Sequence, residues 1–378
     1  MPKITQDGNI LIHRLMCIFP TPSPFTKPIT LTAPIINQLD ELTQWVRQQG
    51  QPSFRVRQVI KWIFENRAKS FEEMTDLPKA LRVALAQHYS LFSVRIAKHE
   101  VSNDGTEKLL VQLSDGGLVE CVLLRDGDRR SICVSSQVGC AMGCVFCASG
   151  LDGVMRNLTA GEILEQMLYL QRLLPETERI SHIVMMGMGE PLANVENVVM
   201  ALHWASAENG LGISPRRITI STVGLPPAIE KLAEMDSRYH LAISLHAPND
   251  ELRNELVPVN KKIGIAPLLE AADHYFDVSG RKLTFEYVLL SGINDQPQHA
   301  EELGEILQGR TAILNVIPYN PVEGLPFRTP SSETIARFRE ILESKNIVVK
   351  FRQRKGDKIN AACGQLRRQK VQQLSSPS

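Results

Sequence analysis

Three things are scarce in this 378-residue sequence: net charge, long apolar runs and evenly paired cysteines. Lys and Arg total 42 against 41 Asp and Glu, a formal net charge of +1. The field of the whole molecule therefore singles out no polyanionic partner, and a nucleic-acid surface has to come from local basic clusters. No apolar stretch reaches the ~18 residues of a membrane-spanning helix, so no membrane partner is expected. His13 and Arg14 interrupt the most apolar part of the N-terminus, which argues against a secretory leader and makes the cytoplasm the expected location. The seven cysteines (Cys17, Cys121, Cys133, Cys140, Cys144, Cys147 and Cys363) are odd in number, and three fall within eight residues. That is unlike a secreted disulfide framework. What is present is otherwise ordinary: 43% apolar and 22% charged residues, enough for a substantial core in two or three domains.

Residues 1–34 are rich in Pro and Thr without sustained periodicity and read as an N-terminal tail. From 35 to 93 the pattern is helical. Val59, Ile60, Ile63 and Phe64 make one apolar face among Arg55, Arg57, Lys61, Arg67 and Lys69, and Thr75 or Asp76 is the expected cap of a following helix. Residues 94–125 switch to period two around Asp115-Gly116-Gly117, the pattern of a β-hairpin. A core over 126–357 then alternates strands (131–135, 183–188, 218–222, 241–246, 283–290, 313–318) with helices (160–174, 194–208, 227–235, 265–276, 297–308, 332–346). Residues 358–378 form a C-terminal segment carrying Cys363. Such alternation implies a parallel sheet built by crossovers, either doubly wound or an incomplete barrel. Polar punctuation follows five of the six strands: the cysteines, Gly189-Glu190, Ser221, Ser244 to His246, and Asn320. Ligand groups gather at the carboxyl ends of parallel strands, and five ends sharing one mouth favour a partial, TIM-like (β/α)6 barrel.

Cys140-Ala-Met-Gly-Cys144-Val-Phe-Cys147 supplies three thiols with Gly139 and Gly143 for a tight wrap. Thiolates are the usual ligands of iron–sulfur clusters, and three around a four-iron cube leave one iron open for a cosubstrate. A zinc knuckle is the bland alternative, but zinc wants a fourth ligand nearby and no His lies within 30 residues on either side. Gly187-Met188-Gly189-Glu190 invites a dinucleotide reading, yet the third glycine of that fingerprint is missing.

The C-x3-C-x2-C spacing after a first strand resembles the signature of the radical S-adenosylmethionine (SAM) superfamily. Four longer motifs extend the resemblance: Cys133-Val-Ser-Ser-Gln-Val-Gly-Cys140, Met185-Met-Gly-Met-Gly-Glu-Pro191, Ser244-Leu-His-Ala-Pro-Asn-Asp250 and Gly356-Asp-Lys-Ile-Asn-Ala-Ala-Cys-Gly364. In this order they resemble the RlmN/Cfr family of radical SAM RNA adenosine methyltransferases, from about residue 40 to residue 366. The Met185–Met188 run and the helical N-terminal region lean towards the RlmN branch.

The resemblance implies a [4Fe–4S] cluster on Cys140, Cys144 and Cys147, two SAM molecules per turnover, and SAM contacts at Gly189, Glu190, Ser221, Ser244, Leu245, His246 and Asn320. It implies that Cys363 carries the methyl, that Glu120 removes the ring proton and that Cys133 releases the product by attacking Cys363. A disulfide then has to be reduced. The implied substrates are one adenosine of 23S rRNA in the peptidyl-transferase centre and the adenosine next to the anticodon in tRNAs, methylated at carbon 2. The Cfr-type alternative is carbon 8, and a chain without activity would be an iron–sulfur RNA-binding protein. An external one-electron donor such as flavodoxin and a monomeric state complete the expectation. Cys17 and Cys121 are expected to be structural. Phosphate contacts are sought in the basic residues of 55–69 and in Lys350, Arg352, Arg354, Lys355, Lys358, Arg367 and Arg368.

Overall fold

The structure, a computed structural model, describes residues 33–235, 238–352, 356 and 359–366. The tail expectation for 1–32, Cys17, and Arg354, Lys355, Lys358, Arg367 and Arg368 fall outside the described residues.

The described residues begin with β1 (Ala33–Pro34), followed by helices α1 (Leu42–Gln48), α2 (Phe54–Phe64) and α3 (Lys79–His88). A short β2 (Tyr89–Ser90) then pairs in parallel with β1. The apolar stripe of α2 is buried as its spacing requires, with Val56, Val59, Ile60, Ile63 and Phe64 inside. Neither Thr75 nor Asp76 caps α3: Pro78 holds that position and makes no side-chain cap. Asp76 instead accepts hydrogen bonds from Gln58 Nε2 at 2.9 Å and Trp62 Nε1 at 2.5 Å, pinning the approach to α3 against α2. Proline suits the threshold of a helix because its fixed φ continues into the first turn, so the carboxylate is free for a tertiary role.

Next come β3 (Arg95–Val101), β4 (Glu107–Gln112), β5 (Leu118–Asp126) and β6 (Arg129–Cys133), all antiparallel neighbours. The expected hairpin is thus part of a longer meander, because Arg95–Val101 also pairs although most of its residues are exposed. A two-stranded ribbon, β7 (Gln137–Gly139) and β8 (Val154–Asn157), brackets the cysteine loop. Then follow α4 (Ala160–Arg172), β9 (His182–Met185), α5 (Val195–Ser206), β10 (Ile218–Thr222), α6 (Pro226–Glu234) and β11 (His240–Ser244). The remainder is α7 (Asp250–Leu256), α8 (Ile265–Ser279), β12 (Leu283–Leu289), α9 (Pro297–Leu307), β13 (Ala312–Pro318), α10 (Ser332–Ser344) and β14 (Val349–Phe351).

Ten of these strands form one sheet in the order β14-β13-β12-β11-β10-β9-β6-β5-β4-β3. From β6 to β14 every neighbouring pair is parallel. Spatial order therefore follows chain order, with no reversal that would make the crevice of a doubly wound sheet. This is the progression of an unclosed barrel. β14 is a seventh parallel strand that the sequence reading did not separate from the basic cluster, since Lys350 and Arg352 interleave with Val349 and Phe351.

The helical segment packs directly on the barrel. Gln171 Nε2 donates to the Phe64 carbonyl at 2.8 Å, and Phe64 stacks on Trp204 with ring centres 5.8 Å apart. Glu165 of α4, buried, accepts from both Ser93 N–H and Val94 N–H at 2.9 Å, fastening the start of the meander.

Candidate active site

Backbone geometry shapes the cysteine loop. Gly139 lies in the left-handed region (φ 81°), where a Cβ would come within 1.9 Å of the Gly153 carbonyl oxygen. Only glycine allows that approach, and the Cys140 N–H donates to the same carbonyl at 3.1 Å. Further along, Val145 N–H donates to the Leu256 carbonyl of α7 at 3.1 Å, and Ala148 N–H to the Gly364 carbonyl at 2.8 Å. Ser149 Oγ donates to the Leu366 carbonyl at 2.6 Å. The loop is thereby fixed both to the barrel and to the segment that carries Cys363.

A cavity of about 940 Å³, including its open mouth, occupies the carboxyl ends of the parallel strands. Cys140, Cys144, Cys147, Gly189, Glu190, Ser221, Ser244, His246, Asn320 and Cys363 all line it. Three sequence-identified residues do not. Leu245 points into the core, with its N–H bonded to the Glu286 carbonyl and its own carbonyl to Arg253. Cys133 ends β6, half-buried and electrostatically coupled to Cys363. Glu120 is buried on β5, where its carboxylate lies 3.0 Å from Lys108 Nζ. Lys108 also reaches Glu100 at 3.3 Å and the Asn360 carbonyl at 3.5 Å, while Asp104 accepts from Gly356 N–H at 2.8 Å. The meander thus grips the root of the C-terminal segment.

Burial dominates the electrostatics. It pushes the Cys140 thiol up to about 12, with the charge of Cys147 adding to it, and raises Cys144 and Cys147 as well. It also pushes Cys133 up to about 12, with Cys363 as the next contributor. Burial brings His246 down to about 3, so the ring is neutral. Val288 N–H donates to its Nδ1 at 3.1 Å, which places the ring proton on Nε2 as a donor. Glu190 is likewise raised by burial, although Leu192 N–H at 3.0 Å and Val223 N–H at 2.8 Å hold its oxygens in place.

The residues fit a thiolate-held cluster with a polar cosubstrate beside it. Three thiols share one wall of the cavity. Glu286 Oε2 and Asn320 Oδ1, both buried in the cavity wall, have no hydrogen-bond partner among the described residues. Buried acceptors of this kind call for donors on a ligand.

Sequence reasoning missed Glu286, although a carboxylate inside the apolar strand Leu283–Leu289 was a readable signal. By sequence alone Arg352 falls among the basic residues expected to contact phosphate. Instead its Nη1 stands 3.8 Å from Cys363 Sγ and 3.9 Å from Met186 Sδ, and the charge of Cys363 is the largest influence raising its pKa. Arg253 was also missed, because Asp250-Glu251-Leu252-Arg253-Asn254-Glu255 reads as a solvated helix face. Of the N-terminal basics, Arg67 is consumed by the carbonyls of Leu174, Pro175 and Glu178, and Arg55 by Gln58 and Asp76. Arg57, Lys61 and Lys69 remain exposed.

A parallel sheet in chain order with a three-cysteine loop at its mouth defines the radical SAM class, and the profile of the Radical SAM superfamily matches residues 134–303. A second profile, the ribosomal RNA large subunit methyltransferase N-terminal domain, matches residues 37–91. A protein of Rhodopirellula baltica named probable dual-specificity RNA methyltransferase RlmN is 70% identical over 87% of this chain and 89% of its own length. One of the same name from Bacillus cytotoxicus is 44% identical over 87% and 91%. The crystal structure of a radical SAM methyltransferase from Sphaerobacter thermophilus, 43% identical, matches with a TM-score of 0.86 over 89% of this chain and 99% of that one. The chain belongs to the RlmN family of radical SAM methyltransferases, an affiliation that implies a [4Fe–4S] cluster and SAM.

Proposed function

We propose that this chain methylates carbon 2 of an adenosine in 23S rRNA and of the adenosine beside the anticodon in tRNAs. The observation that carries this reading is the placement of Cys363: it lines the same cavity as Cys140, Cys144 and Cys147, on a segment hydrogen-bonded to their loop.

Cys140, Cys144 and Cys147 would hold the cluster, and Gly189, Glu190, Ser221, Ser244, His246 and Asn320 would orient SAM, with two molecules consumed per turnover. Bound there, the pair would supply a 5′-deoxyadenosyl radical able to take a hydrogen atom from an unactivated methyl group. Cys363 bears that methyl as a thioether, and Arg352 and the Asn320 Nδ2 bond to the Cys363 carbonyl (3.1 Å) fix where it stands. Glu120, held by Lys108, removes the proton of the ring carbon. The Cys363 methylene left by that hydrogen loss would first bond to the ring carbon and give back the one electron spent on SAM. Cys133 would then attack Cys363 Sγ, breaking its bond to the transferred carbon, which takes a proton to become the methyl, and a disulfide is left for an external reductant. A modified base inside folded RNA has to be exposed or flipped, and the helical segment with Arg57, Lys61 and Lys69 is the additional grip. A flavodoxin-like one-electron donor, a monomeric state and a cytoplasmic location complete the proposal.

The test is nucleoside mass spectrometry with chromatography on rRNA and tRNA treated with the reconstituted protein. 2-Methyladenosine is expected in both. 8-Methyladenosine would move the assignment to Cfr-type chemistry. Absence of SAM cleavage to 5′-deoxyadenosine would leave an iron–sulfur RNA-binding protein.

A further inference from the structure

Arg253 is the largest fully buried side chain among the described residues, with none of its surface exposed. Its guanidinium donates to four oxygens, all neutral: the Leu245 carbonyl at 3.0 Å, the Val223 carbonyl at 2.7 Å, the Ser244 carbonyl at 3.1 Å, and Asn260 Oδ1. The nearby acid Asp250 turns one carboxylate oxygen to Asn260 Nδ2 at 2.8 Å and Ile265 N–H at 2.9 Å. A buried cation solvated by dipoles alone is costly, and such charges are ordinarily matched by an anion.

The place of Arg253 shows where that anion belongs. α7, which carries it, also accepts the Val145 N–H of the cysteine loop through the Leu256 carbonyl. Two of its other acceptors belong to Val223 and Ser244, which line the cavity with Cys144. Burial lowers the Arg253 pKa to about 10, and of the charges that oppose this Cys144 comes first and Asp250 second. Three thiolates around a [4Fe–4S]2+ core leave one net negative charge, and an added electron makes it two.

We propose that Arg253 is a positioning charge for the cluster: its guanidinium, tied to the ends of β10 and β11 and linked through α7 to the cysteine loop, balances the cluster's negative charge and raises its reduction potential. The attraction grows when the cluster gains its electron, so the cation favours the reduced state. The electron comes from an external one-electron reductant, dithionite in the test below. The inference rests on the cluster assignment above.

The full-length protein, reconstituted anaerobically, is titrated potentiometrically with the cluster followed by electron paramagnetic resonance, and iron and sulfide are counted. Arg253→Met is expected to lower the equilibrium constant for reduction about tenfold, ~59 mV for one electron, at wild-type iron content. Arg253→Lys is expected to restore most of that loss, and Asp250→Asn, which removes a nearby negative charge, to move the potential slightly upward. Arg253→Met with full iron and an unmoved potential overturns the inference. If that variant loses its iron, the other two decide: a lysine variant near wild type with an upward shift in Asp250→Asn supports it, and any other pair of results overturns it. A wild-type protein that binds no iron sinks the cluster assignment itself, an outcome distinct from the rest.

Discussion

Five of the protein's thiols fall into two groups that the fold treats differently. Cys140, Cys144 and Cys147 sit on one short loop, shaped by a positive-φ glycine and a narrow ribbon and then fastened by the remote carbonyls of Leu256 and Gly364. Cys133 ends β6 and Cys363 follows β14, so these two thiols can act on one another only through the assembled sheet. The first group is kept together by one stretch of eight residues. The second exists only when the whole sheet is assembled, so it should be far more sensitive to remote damage.

Substitutions can separate the two groups. The largest effect is expected from Cys144→Ala, which should lose iron and all SAM cleavage on anaerobic reconstitution, whereas Cys363→Ala should keep iron and lose methyl transfer at least a thousandfold. Equal iron loss in both would erase the distinction. Cys133→Ala should retain iron and the first bond to substrate but accumulate protein crosslinked to RNA, seen as a slow band on denaturing gels. Normal turnover there would remove its resolving role. Lys108→Met should destabilise the fold by about 3 kcal/mol in denaturant titration, because it leaves the buried Glu120 carboxylate without its 3.0 Å partner. The Cys133–Cys363 pair should suffer from this more than the cluster loop, since Lys108 also contacts the Cys363 segment.

A further contrast concerns pH. Burial raises Glu165 to about 7 in the folded chain, against an ordinary value of 4.5. The native state therefore binds more protons than the unfolded state between those values, and stability should fall as pH rises through that window by up to about 1.4 kcal/mol per unit. Glu165→Gln should flatten that slope in denaturant titrations at pH 5 and pH 7. An unchanged slope would assign the pH dependence to other groups.

The strand–helix rhythm was legible from Ser131 onward because period-two and period-3.6 patterns alternate cleanly there, and the gathering of Gly189, Ser221, Ser244 and Asn320 followed from where strands end. What escaped was set by tertiary context. Pro78 displaced the expected cap, and β3 pairs although its exposed polar residues give little apolar pattern. β14 was hidden because its basic residues looked like a surface run. Arg253 and Arg352 are charged residues that the fold buries, and nothing in their neighbours' spacing separates them from solvated arginines.

Because neighbours in the sheet are neighbours in the chain from β6 to β14, a polypeptide leaving the ribosome can add each strand to an existing edge as it emerges. The residues after β14 come last. The sulfur that would bear the methyl thus reaches its place only after the surrounding wall exists, so a chain that stalls or truncates late would have its iron-binding loop but no acceptor.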